Sequence, residues 1–366
     1  MKKNAVIFLC FLIVICFSSW AFGDEIVIVN YNVWSGIDGK GLIKMGEFES
    51  AEVRLARYKI LVDGLVDTSP DIVGIQEANK LPGFTRRLGR DICCDPVWRI
   101  ANSGLKLFGF GFPTNFTEGE AILAKKRHGI KYLKGKRLSG GGIQRDCLSV
   151  HFNEVRYAMA ARVIIDGAPL IIFNTHTHYS LLLTEEWIKK VDSLFDSGEI
   201  TEKERDAIKE KMIKSYERTK NDIRNLAAFI KEITAEYDEP YIVMGDFNAT
   251  LEIPALREMV DELGLLDTYR IMNPENPGYT WDVKLNPNTV FEGGPYYADK
   301  TLRSPLGRLK AEYTGSVSRR IDFIFLSNHF TPDMVTEAEL FLDKPKDGLY
   351  ASDHFGLKVV IKGIPK

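Results

Sequence analysis

Cysteine is scarce in this chain: five among 366 residues, none in a C-x-x-C pair and none clustered with histidine at zinc-ligand spacing. That excludes a disulfide-dense miniprotein and argues against a structural zinc. Charge of one sign is also lacking. Lys and Arg total 48 against 50 Asp and Glu, a formal net charge of −2. No global positive field is therefore available to hold nucleic acid, although a local basic cleft stays open. Internal repeats, low-complexity tracts and long Pro/Gly/Ser linkers are absent. Neither a Gly-x-Ser-x-Gly elbow nor a Walker A sequence occurs, which removes serine-hydrolase and P-loop readings.

What is present is ordinary globular composition, 45% hydrophobic and 27% charged, in a chain long enough to bury a sizeable core. Length alone favours two domains at about 150 residues each, or one large sandwich. The first 23 residues read as an export signal rather than as part of the fold. Lys2 and Lys3 precede an apolar run from Ala5 to Phe17, and Ala21-Phe22-Gly23 fits a small-x-small cleavage pattern before Asp24. The run is shorter than the ~20 residues of a spanning helix. A mature chain of residues 24–366, secreted or periplasmic and without a transmembrane segment, is expected. Cys93, Cys94 and Cys147 remain in it, and Cys147 with either neighbour is the pairing open to a disulfide.

Apolar, β-branched runs recur at Ile26–Val29, Ile72–Ile75, Ala121–Leu123, Ala160–Ile165, Leu170–Phe173, Tyr241–Met244, Ile321–Leu326 and Leu357–Ile361. Several are continuous rather than alternating, as in strands buried on both faces. Helical spacing covers Ala51–Asp67, stopped by Pro70, and Ile253–Leu263. From Thr184 to about Glu236 the chain is charged and free of proline. Gly198 divides it, and Thr201 with Glu204 forms a capping box, so a helical hairpin is predicted. The whole reads as an α/β protein with sheets inside and helices outside.

Chemically capable residues fall at the ends of these strands. Asn32 follows the first, Glu77 the second, Asn174-Thr175-His176-Thr177-His178 the fifth and Gly245-Asp246-Phe247-Asn248 the sixth; Asp322 and Ser352-Asp353-His354 open the last two. If the last two strands run antiparallel to the others, all six groups share one sheet edge, the preferred place for a ligand crevice. Glu77, Asp353 and Asn32 are hard oxygen donors suited to Mg²⁺ or Mn²⁺. A histidine beside a carboxylate makes a general base. Together they describe metal-assisted phosphoester hydrolysis with water as nucleophile.

The ordered strings VNYNVW, DIVGIQE, NTHTH, GDFN, RRIDFIF and SDH resemble the endonuclease/exonuclease/phosphatase superfamily, over about Ile26 to Ile361. The resemblance implies one domain with a four-layer α-β-β-α sandwich of two mixed sheets, the 184–236 hairpin being an insertion. It implies metal-site roles for Asn32, Glu77 and Asp353. It implies a general base at His354, oriented by Asp322. Asp246 would position the nucleophile or assist the leaving group, Asn248 would contact phosphate, and His176 would stabilise the phosphate or assist the leaving oxygen. In some members that histidine pairs with an upstream glutamate, for which Glu118 and Glu120 are both candidates; His178 is a weaker candidate for substrate contact. The histidine form resembles the deoxyribonuclease, sphingomyelinase and inositol-phosphatase branches, and NTHTH is similar to the NTHLH of neutral sphingomyelinases.

The substrate is less legible. Lys125, Lys126, Arg127, Lys131, Lys134, Lys136 and Arg137 form a basic cluster that fits nucleic-acid phosphates or simply a solvated strand edge. Leu105–Phe116, LKLFGFGFPTNF, is a candidate loop for a membrane surface or for base stacking. The sequence therefore predicts a secreted, Mg²⁺-type phosphodiesterase acting on a phospholipid head group or a nucleic acid. A phosphomonoesterase acting on inositol phosphates and a non-catalytic binding protein with this fold are the alternatives.

Overall fold

The computed structural model describes residues 25–38, 46–47, 49–103, 106–107, 110–111, 117–140, 142–145, 148–151, 155–179, 183–291 and 304–365. The expected signal segment, Cys147 and most of the Leu105–Phe116 stretch lie outside them. Of that stretch only a short ribbon pairing Lys106–Leu107 with Phe110–Gly111 is described.

Two six-stranded mixed sheets form the centre. Their strands in chain order are β1 Glu25–Asn32, β2 Ile72–Ala78, β3 Cys94–Ser103, β4 Thr117–Lys125, β5 Lys131–Ser139, β6 Arg156–Ile165, β7 Ala168–His176, β8 Tyr241–Asp246, β9 Leu266–Asp267, β10 Asp322–Leu326, β11 Val335–Phe341 and β12 Gly356–Lys362. The first sheet runs β11-β12-β1-β2-β4-β3 and the second β9-β10-β8-β7-β6-β5. β1 and β2 are parallel, as are β7 and β8, whereas β12 and β10 run antiparallel to their neighbours β1 and β8. The strand ends are thereby gathered at one edge.

Alternation along each strand builds the layers. Ile26 and Ile28 of β1, Ile72 of β2, Ile172 of β7, Ile242 and Met244 of β8 and Ile324 of β10 pack in the inter-sheet core. The opposite face of the first sheet, with Val29, Tyr31, Val73 and Ile75, is covered by Tyr58, Leu61 and Leu65 of α1 (Ala51–Thr68) and Leu88 of α2 (Gly83–Asp91). α3 (Glu185–Asp196) and α4 (Glu202–Thr234) follow β7. Ile223, Leu226, Phe229 and Ile230 of α4, with Leu256 and Met259 of α5 (Pro254–Glu262), cover the outer face of the second sheet. Helices on both outer faces complete the four-layer sandwich, and because both faces of each central strand are buried, the apolar runs are continuous. Removing one such side chain, Phe173 for example, which is fully buried, costs about 3–5 kcal/mol.

Local signals act as their chemistry dictates. Ser50 caps α1 by accepting from the Val53 amide at 3.3 Å, and Ser69, in the left-handed region, ends it. Thr201 and Glu204 form the reciprocal capping box at the start of α4. Four of the seven basic-cluster residues meet one of two local partners. Lys125, Arg127 and His128 surround Asp71 at 3.0, 3.1 and 2.9 Å, and Lys134 and Lys136 face Glu232 of α4. Cys93 and Cys94 are free thiols. Among the described residues no helix is long and apolar enough to cross a membrane.

Candidate active site

The site is the polar continuation of the inter-sheet core. Following the inward face of each strand, Ile26-Ile28 gives way to Asn30-Asn32, Ile72 to Gly74-Gln76, Ile172 to Asn174-His176, Ile242-Met244 to Asp246, and Ile324 to Asp322. A buried amide network marks the changeover. Gln76 Nε2 donates to Asn30 Oδ1 at 2.8 Å and to Asn174 Oδ1 at 2.6 Å. Asn174 Nδ2 donates back across the interface to the Ile75 and Ala121 carbonyls, both at 2.9 Å. Asn30 Nδ2 reaches the Gly245 carbonyl at 3.2 Å. Such a network fixes one sheet against the other, since an unpaired amide here costs about 1–3 kcal/mol. Gly74 permits the close approach: a Cβ there would lie 2.7 Å from Met244 Cε.

Above this network the functional side chains converge. Register places His176 opposite Asp246 and Asp246 opposite Asp322, in one row across three strands. His354 Nδ1 stands 2.8 Å from Asp322 Oδ2, and its Nε2 lies 3.7 Å from Asp246 Oδ2. With Nδ1 donating to Asp322, Nε2 is left turned toward Asp246. Trp281 packs edge-on against the His354 ring at 5.1 Å. Thr280 accepts the Ile321 and Asp322 amides on its hydroxyl, each at 3.1 Å, and the Phe355 amide on its carbonyl at 2.7 Å. This loop therefore holds Asp322 and His354 in mutual register.

From the first sheet, Asn32 Nδ2 donates to Asp246 Oδ2 at 3.0 Å and Glu77 Oε1 at 3.2 Å. Glu77 Oε2 accepts the Ser35 amide at 3.1 Å. Asn248 folds back on Asp246, its amide 2.8 Å from Oδ1. Asp353 is buried beside this group, its Oδ1 3.1 Å from the Ser352 hydroxyl. Trp34, Glu77 and Asn248 all have left-handed backbones, with φ of 54°, 56° and 45°. Non-glycine residues avoid that region at a cost of about 1–3 kcal/mol, and such residues cluster at functional sites.

Electrostatics sharpen the picture. Burial, reinforced by the Asp322 charge, raises the Asp246 carboxyl to about 7. Burial works against the charged form of His354, but the Asp322 and Asp246 charges outweigh it and hold the imidazole well above its ordinary value. His176 is held well below, by burial first and then by Arg156. Arg156, itself buried, places Nη1 2.9 and 3.0 Å from the two His176 ring nitrogens.

Asp246, Asp322 and His354 present ligand atoms within 4.8 Å of one another. Asp322, Asp246 and Asp353 act on one imidazolium, Glu77 adds a further carboxylate beyond Asn32, and Asp322 Oδ1 is buried with no hydrogen-bond partner. This oxygen-rich, net-negative group fits a hard divalent cation. Asn32, Glu77, Asp246 and Asp322 are the residues that would hold it, with Asp353, the third expected ligand, buried beside them.

Asn32, Glu77, His176, Asp246, Asn248, Asp322, Asp353 and His354 are thus brought to one cluster at the strand ends. His178 is not: one residue past Thr177 the chain has turned outward, and its ring sits 3.2 Å from Ser215 of α4. Burial and nearby Arg218 push that ring down to about 2, so it serves there as a neutral packing group. Glu118 and Glu120 are both buried, and burial raises Glu120 to about 8. His176 is contacted by Arg156 and, 3.5 Å from its Nε2, by Asp246; Arg156 was not among the expected site residues. An arginine opening a strand carries no local signature. Thr280 and Trp281 were not expected as site residues, because their role is to hold other residues.

An α/β sandwich with a buried carboxylate–imidazole cluster at the strand ends defines a class of hydrolytic scaffold. A family model described as Endonuclease/Exonuclease/phosphatase family matches residues 29–354, and the chain belongs to that family, whose members are phosphoester hydrolases. Among solved structures it resembles TDP2 of D. rerio complexed with a single-strand DNA product, at 17% identity over 93% of this chain and 100% of that one, TM-score 0.51. The human Nocturnin catalytic domain with bound sulfate gives 16% identity, 93% and 94% coverage and TM-score 0.51. A mannosyl-6-phosphatase of Bacteroides thetaiotaomicron gives 16%, 92% and 99%, and 0.54. At these identities the likeness establishes the fold. No curated protein matches the chain in sequence.

Proposed function

We propose that this chain is an exported phosphodiesterase that uses a divalent cation, Mg²⁺ or Mn²⁺, and a water activated by His354. The observation that carries the reading is the Asp322–His354 pair at 2.8 Å, with Nε2 turned toward Asp246. When bound among the carboxylates, the cation would offset their charge, polarise the phosphoryl group and bring His354 back toward its neutral form.

The chain's own residues supply the remainder. Asp322 fixes the tautomer and steadies the imidazolium formed as Nε2 takes the proton of the attacking water. Asp246, anchored by Asn32 and Asn248, orients that water. Arg156 offers a desolvated cation to the phosphoryl oxygens, and the neutral His176 offers a ring N–H beside it. Asn248 Nδ2 adds a neutral donor at the same edge.

Much of the basic cluster is engaged by Asp71 and Glu232, which favours a compact phosphodiester over a long duplex. The NTHTH string fits a phospholipid head group as well as a nucleotide. The purified protein, with Mg²⁺, is to be assayed on bis-p-nitrophenyl phosphate, single-stranded DNA, plasmid DNA, sphingomyelin liposomes and an inositol phosphate. Hydrolysis of the diesters over the monoester supports the reading; a monoesterase-only profile would replace it with the phosphatase alternative.

A further inference from the structure

Beside Glu77 the molecule holds a pocket of about 430 Å³ that the chemistry above does not use. It lies between α1 and α2, and its lining includes Trp34, Leu55, Tyr58, Phe84, Glu77 and the half-exposed Arg87. The volume is at the small end of ligand pockets, enough for one ring-sized group.

The walls are fixed in advance. Trp34 is held in its left-handed conformation by its amide donating to Asn32 Oδ1 at 3.0 Å. The buried Arg57 lies 4.7 Å from the Trp34 ring and donates to the Val33 and Ala351 carbonyls at 3.0 and 2.8 Å. Opposite, Tyr58 and Phe84 meet edge to face at 5.8 Å, and the Tyr58 hydroxyl donates to Asp91 at 2.7 Å. The Arg87 guanidinium covers the Tyr58 ring at 4.0 Å. Rigid aromatic walls favour a flat occupant, which stacks or packs edge-on without ordering flexible side chains. Trp34 follows Asn32 by two residues, and Glu77 belongs to both pocket and site. A group bonded directly to the phosphate is therefore the occupant that reaches both.

We propose that this pocket is a specificity subsite for the flat, ring-bearing substituent of the phosphoester, so that aryl or nucleoside phosphodiesters are preferred over alkyl ones. The proposal rests on the hydrolase reading above. Its test uses the full mature chain with Mg²⁺ and two diesters sharing one leaving group, phenyl p-nitrophenyl phosphate and methyl p-nitrophenyl phosphate. Leu55→Trp fills the pocket from a position that is 40% exposed, and so leaves the core intact.

The parent protein is expected to show at least a tenfold lower KM for the phenyl diester. Leu55→Trp should abolish that difference while leaving kcat and the methyl diester unchanged. In parallel, calorimetric titration with phenylphosphonate and methylphosphonate should show at least tenfold tighter phenyl binding in the parent only. Equal affinity for the two phosphonates, or a Leu55→Trp variant that keeps the phenyl preference, overturns the subsite. Phenyl-selective binding with no hydrolysis of either diester would sink the hydrolase reading and leave the subsite standing.

Discussion

Replacing Asp322 by Asn separates the catalytic role of the Asp–His pair from any role in stability. Asp322 is fully buried, its Oδ2 is 2.8 Å from His354 Nδ1, and its Oδ1 has no partner. The amide is isosteric, so packing is unchanged. It can donate to Nδ1, however, and the imidazole then carries its proton on Nε2, where it cannot receive one from water. Misdirecting a general base costs about 10²–10⁴ in rate, or about 3–5 kcal/mol of transition-state stabilisation. Stability feels two opposed effects. The Asp322 charge is, after burial, the main cause of the raised Asp246 carboxyl, so its removal eases that carboxyl's ionisation. It is also the main charge that holds the His354 imidazolium against burial, and a raised imidazole contributes stability that is lost as pH rises through its folded value. The two effects offset in part, so the loss of stability should fall short of the about 3–5 kcal/mol for breaking a buried ion pair outright. The assay pairs kcat/KM on a chromogenic diester with urea unfolding at pH 7. Activity within about tenfold of the parent, or a loss of activity matched by destabilisation, would refute this reasoning.

Chelation of the purified protein should silence hydrolysis, and Mg²⁺ or Mn²⁺ should restore it; the same ions should raise the melting temperature of the parent but not of Asp246→Asn. At the other end of β2, burial opposes but His128, the Val27 amide and Lys125 prevail, holding Asp71 below the ordinary carboxylate range. A depressed carboxyl contributes stability above its unfolded pKa and loses it as pH falls through the folded value, so Asp71→Asn should flatten the acid side of a stability–pH curve. Its cost at pH 7 should be about 2–3 kcal/mol, read from urea midpoints. For the exported form, intact mass should place the first residue at Asp24; retention of Met1–Gly23 on the released protein would contradict the export reading.

The central strands were legible because both of their faces are buried, leaving continuous apolar runs such as Tyr241–Met244. The four strands that carry no such run, Cys94–Ser103, Lys131–Ser139, Leu266–Asp267 and Val335–Phe341, lie at sheet edges. Lys131–Ser139 is mostly exposed and lysine-rich, the usual protection of an edge, and this erases its periodicity. The cleft was legible for a related reason: each inward face changes from apolar to polar at a strand end, as in Ile28-Asn30-Asn32. Arg156 was not, since its position depends on β6 lying beside β7. The pocket beside Glu77 depends on how α1 and α2 pack, which no local pattern encodes.

The central claim is that His354, seated between Asp322 and Asp246, activates the water that cleaves a phosphodiester. The most direct measurement is the Mg²⁺-supported turnover of bis-p-nitrophenyl phosphate by the parent and by His354→Ala, with circular dichroism melts of both. The account predicts a folded variant whose kcat falls by at least about 10². A folded His354→Ala protein with near-parental turnover would contradict it.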